Sequence, residues 1–279
     1  MDARAALSKR TLKVDGLGLG LRPAHYAYVL RARPDVDYFE LLSDNYLREG
    51  SRARHYARRI RAHYVQVLHG VGLNLLGQDP LDERYLDALK ALADEVDAPF
   101  VSDHLCWSRS QGLNHHDLLP TPFTAAIADY AAERAAYVQR RLDRPFAVEN
   151  VSSYATFAAS VMDEASFYAR VVSAAGVYYL LDLNNVYVSA QNHGFDPYAY
   201  LNMIDFSRVV QVHLAGYEQS PAGVLIDTHS RPVSSGVWAL YRWAYRHRGP
   251  FPTLLEWDDA IPSFEGLLAE LAKAREVRS

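Results

Sequence analysis

Phe146-Ala-Val-Glu-Asn-Val-Ser-Ser-Tyr154 is a short apolar run that ends in a glutamate and an asparagine. The same design recurs along the chain. Val65-Gln-Val-Leu-His69, Phe100-Val-Ser-Asp-His104, Tyr179-Leu-Leu-Asp-Leu-Asn-Asn185, Val209-Val-Gln-Val-His213 and Thr253-Leu-Leu-Glu256 all finish on His, Asp, Asn or Glu. Near-continuous apolar runs of this length read as strands buried on both faces, as in a parallel sheet. Taken singly, each polar end is a hydrogen-bonded group at the rim of a sheet. Taken together, they read as strand ends that converge on one place.

Eight such strands are expected, at about 16–21, 37–42, 65–73, 99–105, 145–151, 177–183, 208–214 and 252–257, alternating with amphipathic helical stretches. Asp79-Pro80 reads as the start of one helix, with Leu81, Tyr85, Leu89, Leu92 and Val96 on its apolar face. Proline is placed there where its missing N–H costs nothing. Thr121-Pro122 reads as the start of another, running to about Leu142, and Pro262-Ser263 opens the last. Eight βα repeats at roughly 30-residue spacing predict a closed (β/α)8 barrel of the TIM type, a fold that uses about 250 residues. The competing architecture is an open doubly wound sheet. No shift in composition divides the chain, so 1–279 reads as a single metal-binding barrel domain.

Bulk properties narrow the setting. Hydrophobic residues make up 49% of the chain and charged residues 22%, the balance of an ordinary globular protein. A net charge of −4 argues against nucleic acid as a partner. No window approaches the ~20 apolar residues that span a bilayer, so no membrane partner is expected. Met1 to Val14 holds basic residues but no apolar stretch long enough for a signal peptide. Cys106 is the one cysteine, which excludes an internal disulfide and fits a reducing, cytoplasmic location.

The polar strand ends carry the chemistry. His69, His104, Glu149, Asp182, Asn185, His213 and Glu256 lie at or just past the ends of strands three to eight. Asp227 and His229 follow in the long loop after strand seven, where a two-residue spacing lets both side chains point the same way from extended chain. So many buried ionisable groups in one place call for a compensating cation. Imidazole mixed with carboxylate suits iron, manganese or zinc. The set is too large for one ion, and the central Glu149 is placed to bridge two.

Other signals are weaker. Cys106–Pro120 and Ala215–Val233 are loops longer than the ~2–6 residues usual in βα units, and both leave the strand ends where barrel enzymes keep their chemistry. Asp103 reads as outward-facing or as a partner to a ligand. His115 and His116 read as solvated loop residues or substrate contacts, and Cys106 as a small buried hydrophobe. Gly16-x-Gly18-x-Gly20 lacks the spacing of a dinucleotide fingerprint and reads as a tight first strand. Arg48, Arg52, Arg54, Arg58, Arg59 and Arg61 form either a solvated helix face or a dock for an acidic partner. Tyr154, Tyr187 and Tyr217, just beyond strand ends, read as pocket-lining or packing residues.

Longer motifs carry a resemblance. Gly18-Leu-Gly-Leu-Arg22, His69-Gly-Val-Gly72, Ser102-Asp-His-Leu-Cys-Trp107, Asp117-Leu-Leu-Pro120 and Glu149-Asn-Val-Ser-Ser-Tyr154 are among them. Leu181-Asp-Leu-Asn-Asn-Val-Tyr-Val188, His213-Leu-Ala-Gly216, Asp227-Thr-His229 and Glu256-Trp-Asp258 complete the set, which covers nearly the whole chain. In these segments the chain resembles the multinuclear non-heme iron-dependent oxidative enzymes (MNIO). The resemblance implies a xylose-isomerase-like TIM barrel holding two or three iron ions, mixed Fe(II)/Fe(III), with O2 as cosubstrate. It implies oxidative modification, foremost of cysteine, in a ribosomally made precursor peptide, a reaction of RiPP biosynthesis. It also implies a small partner protein that recognises the peptide leader.

Carried across residue by residue, the implied metal ligands are His69, His104, Glu149, Asn185, His213, Asp227, His229 and Glu256, with Asp182 as a further member. Glu149, Asp227 and His229 are the residues expected to act in catalysis. The family pattern continues His-Leu-Ala-Gly-His, and Tyr217 here replaces the final histidine, so the role of that position is not carried over. Fold and ligand types also admit a metal-dependent barrel hydrolase or sugar isomerase, or a non-catalytic metal-bearing module that presents a peptide.

Overall fold

A computed structural model describes residues 14–279. The basic stretch that precedes Val14 lies outside the described residues. The chain forms β1 (Leu17–Gly20), α1 (Tyr26–Ala32), β2 (Tyr38–Leu42), α2 (Arg52–Arg61), β3 (Val65–Gly70), α3 (Glu83–Val96) and β4 (Val101–His104). A hairpin of β5 (Trp107–Ser110) and β6 (Leu113–Leu119) follows, then α4 (Ala125–Leu142), β7 (Phe146–Glu149), α5 (Glu164–Ala175) and β8 (Tyr178–Asp182). The rest is α6 (Leu183–His193), α7 (Pro197–Met203), β9 (Val209–Leu214), the short hairpin β10 (Glu218–Gln219) and β11 (Leu225–Ile226), α8 (Ser235–Arg248), β12 (Thr253–Leu255) and α9 (Phe264–Arg278).

Eight of these strands pair in parallel in the order β1-β12-β9-β8-β7-β4-β3-β2 and close on themselves. This is the expected (β/α)8 barrel, and it disposes of the open sheet. Both loops singled out by length carry hairpins of their own, at the C-terminal ends of β4 and β9.

The strand period of two builds the interior in layers. Tyr38, Val67, Phe100, Ala147, Leu180 and Leu254 form, with Val210, a separate apolar cluster, which fills the barrel below the site. Two residues further along the same strands stand Glu40, His69, Ser102, Glu149, Asp182 and Glu256, all buried. One strand gives up its share of the interior. A Cβ on Gly18 would lie 2.4 Å from the Tyr38 ring, so the glycine-rich β1 makes room for that tyrosine. The larger core lies between strands and helices, with Leu86, Leu89, Leu92 and Val96 of α3 and Ala128, Ala131, Ala135 and Val138 of α4 among its members.

Two helices start later than their sequence signals. Asp82, not Asp79, caps α3, accepting the N–H groups of Arg84 and Tyr85. Asp79 is engaged instead at the β5–β6 turn, where its carboxylate accepts Gln111 N–H and Gly112 N–H, each at 3.1 Å. Thr124, not Thr121, caps α4 through Ile127 N–H. The last helix starts as expected, with Ser263 as its cap. The arginine-rich α2 is not a uniform solvated face. Arg54 is buried and paired with Glu95, which also takes Arg58, and Arg61 pairs with Asp97.

Candidate metal centre

The residues that converge come from five barrel strands and the segments just beyond them. His104 and Glu149 are register partners across β4 and β7, and Asp182 and His213 across β8 and β9. His69 stands on β3, and Glu256 directly follows β12. His69 Nε2 lies 3.0 Å from Glu149 Oε2, and His104 Nε2 lies 3.2 Å from the same oxygen. On the far side, His213 Nδ1 lies 3.6 Å from Glu149 Oε1 and 3.0 Å from Glu256 Oε2. Glu149 therefore turns one oxygen to each half of the site.

Asp182 divides its oxygens between two tasks. Oδ1 accepts Asn185 N–H at 2.7 Å and caps α6, while Oδ2 is left without a hydrogen bond. Asn185 thus sits in the first turn of a helix rather than on the strand. Its amide donates to Asn150 O at 3.0 Å and its Oδ1 has no partner. Asn150 in turn bonds Asp182 N–H and O, locking β7 to β8. Asp227 and His229 do meet, with Asp227 Oδ1 2.7 Å from His229 Nε2, but not from extended chain. His229 has a φ of 46°, in the left-handed region, and that turn brings its ring over the site. Asn184 Nδ2 donates to Asp227 Oδ1 at 2.7 Å.

Every histidine is held by one ring nitrogen and offers the other. Nδ1 of His69 meets Ser102 Oγ at 2.9 Å, and Nδ1 of His104 meets Gly70 O at 3.0 Å. Nε2 of His213 meets Glu40 Oε2 at 3.0 Å, and Nδ1 of His229 meets Asp258 Oδ2 at 3.1 Å. Partners that fix the tautomer in this way are the usual surroundings of metal-binding imidazoles. Glu40 was not among the residues the sequence singled out, and Asp258 entered only as the end of the Glu256-Trp-Asp258 motif, with no role given to it. Glu40 lies inside β2 with Leu41 and Leu42 after it, which hides it from a search of strand ends. Its one signal is position, two residues beyond the inward-facing Tyr38.

The remaining candidates have other work. Asp103 faces away from the barrel interior, as expected, but is buried there and accepts Leu73 N–H at 3.1 Å and His104 N–H at 2.7 Å. Gly70 admits it, since a Cβ there would stand 2.6 Å from Asp103 Oδ2. His115 and His116 are exposed on β6. Cys106 is buried, and burial pushes its thiol well above the usual range, as expected of an inert core residue. Tyr154 OH accepts Asp227 N–H at 3.0 Å, and Tyr187 stacks on Tyr217 at 5.6 Å.

The electrostatics match a site built for cations. Burial drives the His69 imidazole toward neutrality, but Glu149 and Glu40 outweigh it and raise its pKa to about 9. Burial keeps His104 below its ordinary value despite Glu149. Burial also pushes the Asp182 carboxyl well up, only partly opposed by His229, whereas His213 and His229 overcome burial and hold Glu256 well down.

Both oxygens of Glu149, Asp182 Oδ2, Asn185 Oδ1, His213 Nδ1 and His229 Nε2 are buried without a hydrogen-bond partner. Lone pairs so placed are costly unless a cation is shared among them, and the donor set fits one. His69, His104 and Glu149 have ligand atoms within 4.8 Å of one another, as do Glu149, Asp182, His213 and Glu256. His229, Glu256 and Asp258 form a third such group. There the Nδ1 proton of His229 goes to Asp258, which Arg22 also holds. We therefore read Asp258 as a support to the ring, with Nε2 facing Asp227 and Asp182.

Fold and centre define a class: a TIM-type barrel with neighbouring His/carboxylate groups, suited to metal ions, at its C-terminal mouth. The profile of the RiPP precursor modification enzymes MbnB/TglH/ChrH matches residues 16–279, and the chain belongs to that family. It is 48% identical over 262 residues to a UPF0276 protein of Caulobacter vibrioides, covering 94% of this chain and 93% of the relative. A UPF0276 protein of Vibrio parahaemolyticus is 42% identical over 261 residues, covering 92% and 91%. Among solved structures the barrel is similar to endonuclease IV from Thermus thermophilus, with TM-score 0.62 and 20% identity over 93% of this chain and 99% of the other. A xylose isomerase-like TIM barrel protein from Mycobacterium smegmatis gives TM-score 0.60 and 11% identity over 96% and 99%. At these identities the solved structures speak for the xylose-isomerase-like fold alone.

Proposed function

We propose that this chain is a multinuclear iron-dependent oxidase that uses O2 to modify cysteine residues of a ribosomally made precursor peptide. Membership of the precursor-modifying family supports the peptide as substrate. One observation carries the metal reading furthest: of the two oxygens of Glu149, neither hydrogen-bonded, one faces His69 and His104 and the other faces His213. A carboxylate so placed would be shared by two ions. His69 and His104 would hold one with Glu149, while His213, Glu256 and Asp182 would hold the other. Asp227, His229 and Asn185 offer places for a third or for exchangeable ligands. Iron bound there supplies the redox chemistry and the means of engaging O2 and a thiolate sulfur.

The protein's own part is geometry. Ser102, Gly70, Glu40 and Asp258 aim the four imidazoles, and the apolar layer below excludes water from the inner side. Asp227 and His229, tied to α6 through Asn184 and to the rim through Tyr154, stand where a substrate enters and are suited to orient it or hold a proton. We place the reaction in the cytoplasm, within one barrel domain, with a small leader-recognition protein as partner. No helix among the described residues is long and apolar enough to cross a membrane.

The test uses protein purified without oxygen and replete in iron, with a cysteine-containing precursor peptide encoded beside its gene. More than one iron per chain is expected, and a change of peptide mass only when O2 is admitted. A serine peptide should not react, because serine oxygen is a poorer anchor for iron than thiolate. Equal conversion under strict anaerobiosis, without another oxidant, overturns the oxidase. Full activity with zinc alone moves the reading to a barrel hydrolase.

A further inference from the structure

Glu40 is 2% exposed, is no part of the groups that meet around Glu149, and has no place in the reading above except as a support. We propose that Glu40 is a positioning residue that holds the Nε2 proton of His213, turns Nδ1 to the metal, and makes this half of the centre the place for the more highly charged ion. The inference rests on the two-ion reading of Glu149.

The argument begins with protons. Glu40 Oε2 receives Gln211 Nε2 at 2.8 Å and lies 3.0 Å from His213 Nε2. A carboxylate has no proton to give, and Gln211 Nε2, which also lies 3.0 Å from His213 Nε2, already donates to Glu40, so the bond between Glu40 and His213 takes its proton from the ring. The lone pair of His213 is then on Nδ1, which is buried, free of hydrogen bonds, and 3.0 Å from Glu256 Oε2. Gln211, fully buried, completes the support from below.

The other half is backed differently. Ser102 Oγ donates to Leu68 O, so it accepts from His69, and His104 donates to the carbonyl of Gly70. Both supports are neutral. A carboxylate behind an imidazole makes it the stronger donor, whereas a hydroxyl or carbonyl adds no charge. Carboxylate number runs the same way. The His69/His104 group has Glu149 alone, while the His213 group has Glu149, Asp182 and Glu256. Of two ions that differ in charge, the greater belongs beside His213.

The experiment compares Glu40→Gln with Ser102→Ala in the whole protein, each loaded with Fe(II) without oxygen and separately with Zn(II). Glu40→Gln keeps shape but removes the charge, and its amide can present a proton to His213. It should weaken one of the two ions by about 10–100-fold, leave the other in place, and move the potential of the more oxidised iron positive. Ser102→Ala should weaken the opposite ion and leave that potential where it was. Equal weakening of both ions by Glu40→Gln, or equal potentials in the two variants, overturns the proposal. Nitrogen-15 spectra of the Zn(II)-loaded wild type give a reading that needs no variant: metal on Nδ1 of His213 and a proton on Nε2. Metal on Nε2 overturns it. Wild-type protein that takes up only one ion removes the two-ion reading and this inference together. Two ions in wild type, with Glu40→Gln indistinguishable, removes the inference alone.

Discussion

Glu149 and Asp103 are both fully buried carboxylates at the upper ends of neighbouring strands, and they are opposite cases. Glu149 faces into the barrel, among imidazoles, with no hydrogen bond to either oxygen. Asp103 faces the other side of β4, and both its oxygens accept backbone N–H groups, from His104 and Leu73. Asp44 repeats that pattern beside it, accepting Val71 N–H and Tyr85 OH at 3.1 Å each. Burial alone therefore says little about what an acid does. A carboxylate met by N–H groups fastens a loop, here the one that follows His69. A carboxylate met only by other ligand atoms is arranged for a cation.

The largest expected effect tests that contrast at its stronger end. Glu149→Ala should reduce metal from more than one ion per chain to one at most, and abolish conversion of the peptide. Metal analysis of anaerobically prepared protein reads it. Undiminished stoichiometry would place Glu149 with Asp103 as a structural acid. His69→Ala comes next. It should lower occupancy on its own side only, less than Glu149→Ala does, since a single-ion ligand is lost rather than a shared one. Loss of all metal from His69→Ala would mean that the two halves do not bind separately.

Asp103→Ala should do the reverse, leaving the metal count unchanged while destabilising the fold. Two buried N–H groups lose their acceptor, at roughly 1–3 kcal/mol for a group left unmet. Chemical denaturation of the metal-loaded variant measures it, and a loss of metal without a loss of stability would break the comparison from the other side.

The smallest effect is expected far from the centre, on α2. Arg54, Arg58 and Arg61 are paired within the fold, whereas Arg59 has no ion pair among the described residues and Arg52 lies over the Tyr56 ring. Reversing charge at Arg52 and Arg59 should change stability by less than about 0.5 kcal/mol. If an acidic leader or partner docks there, binding should weaken at low salt and converge with wild type at high salt. Unchanged binding at both salts leaves α2 as a solvated face.

The barrel was legible because fully buried parallel strands leave a continuous apolar signature, and all eight fall within the expected ranges. The helix starts were less so. Asp79 and Thr121 look like caps in sequence, but Asp79 is taken by the β5–β6 turn and the residues around Thr121 carry the chain on to Thr124. The strand-end residues pointed to one place, and seven of them stand together or directly beside the group; that they bind metal is our proposal. What escaped was the support behind them. Glu40 is hidden by the apolar residues that follow it. Asp258, quoted only as the end of a motif, shows its role once Arg22, at the far end of the chain, holds it in place against His229.

The apolar layer of Tyr38, Val67, Phe100, Ala147, Leu180 and Leu254 has a topological consequence. It plugs the barrel, so the centre is a blind well with a single mouth. A peptide cannot be drawn through it as thread through an eye. If the centre acts on a precursor peptide as proposed, each residue to be altered would be lowered in and lifted out by the same opening, whether at a free end or at the crest of a bend. Two target residues in one precursor would then require two separate visits. Between them the half-finished peptide is either let go or kept tethered by its leader, and a time course of singly and doubly altered peptide distinguishes the two.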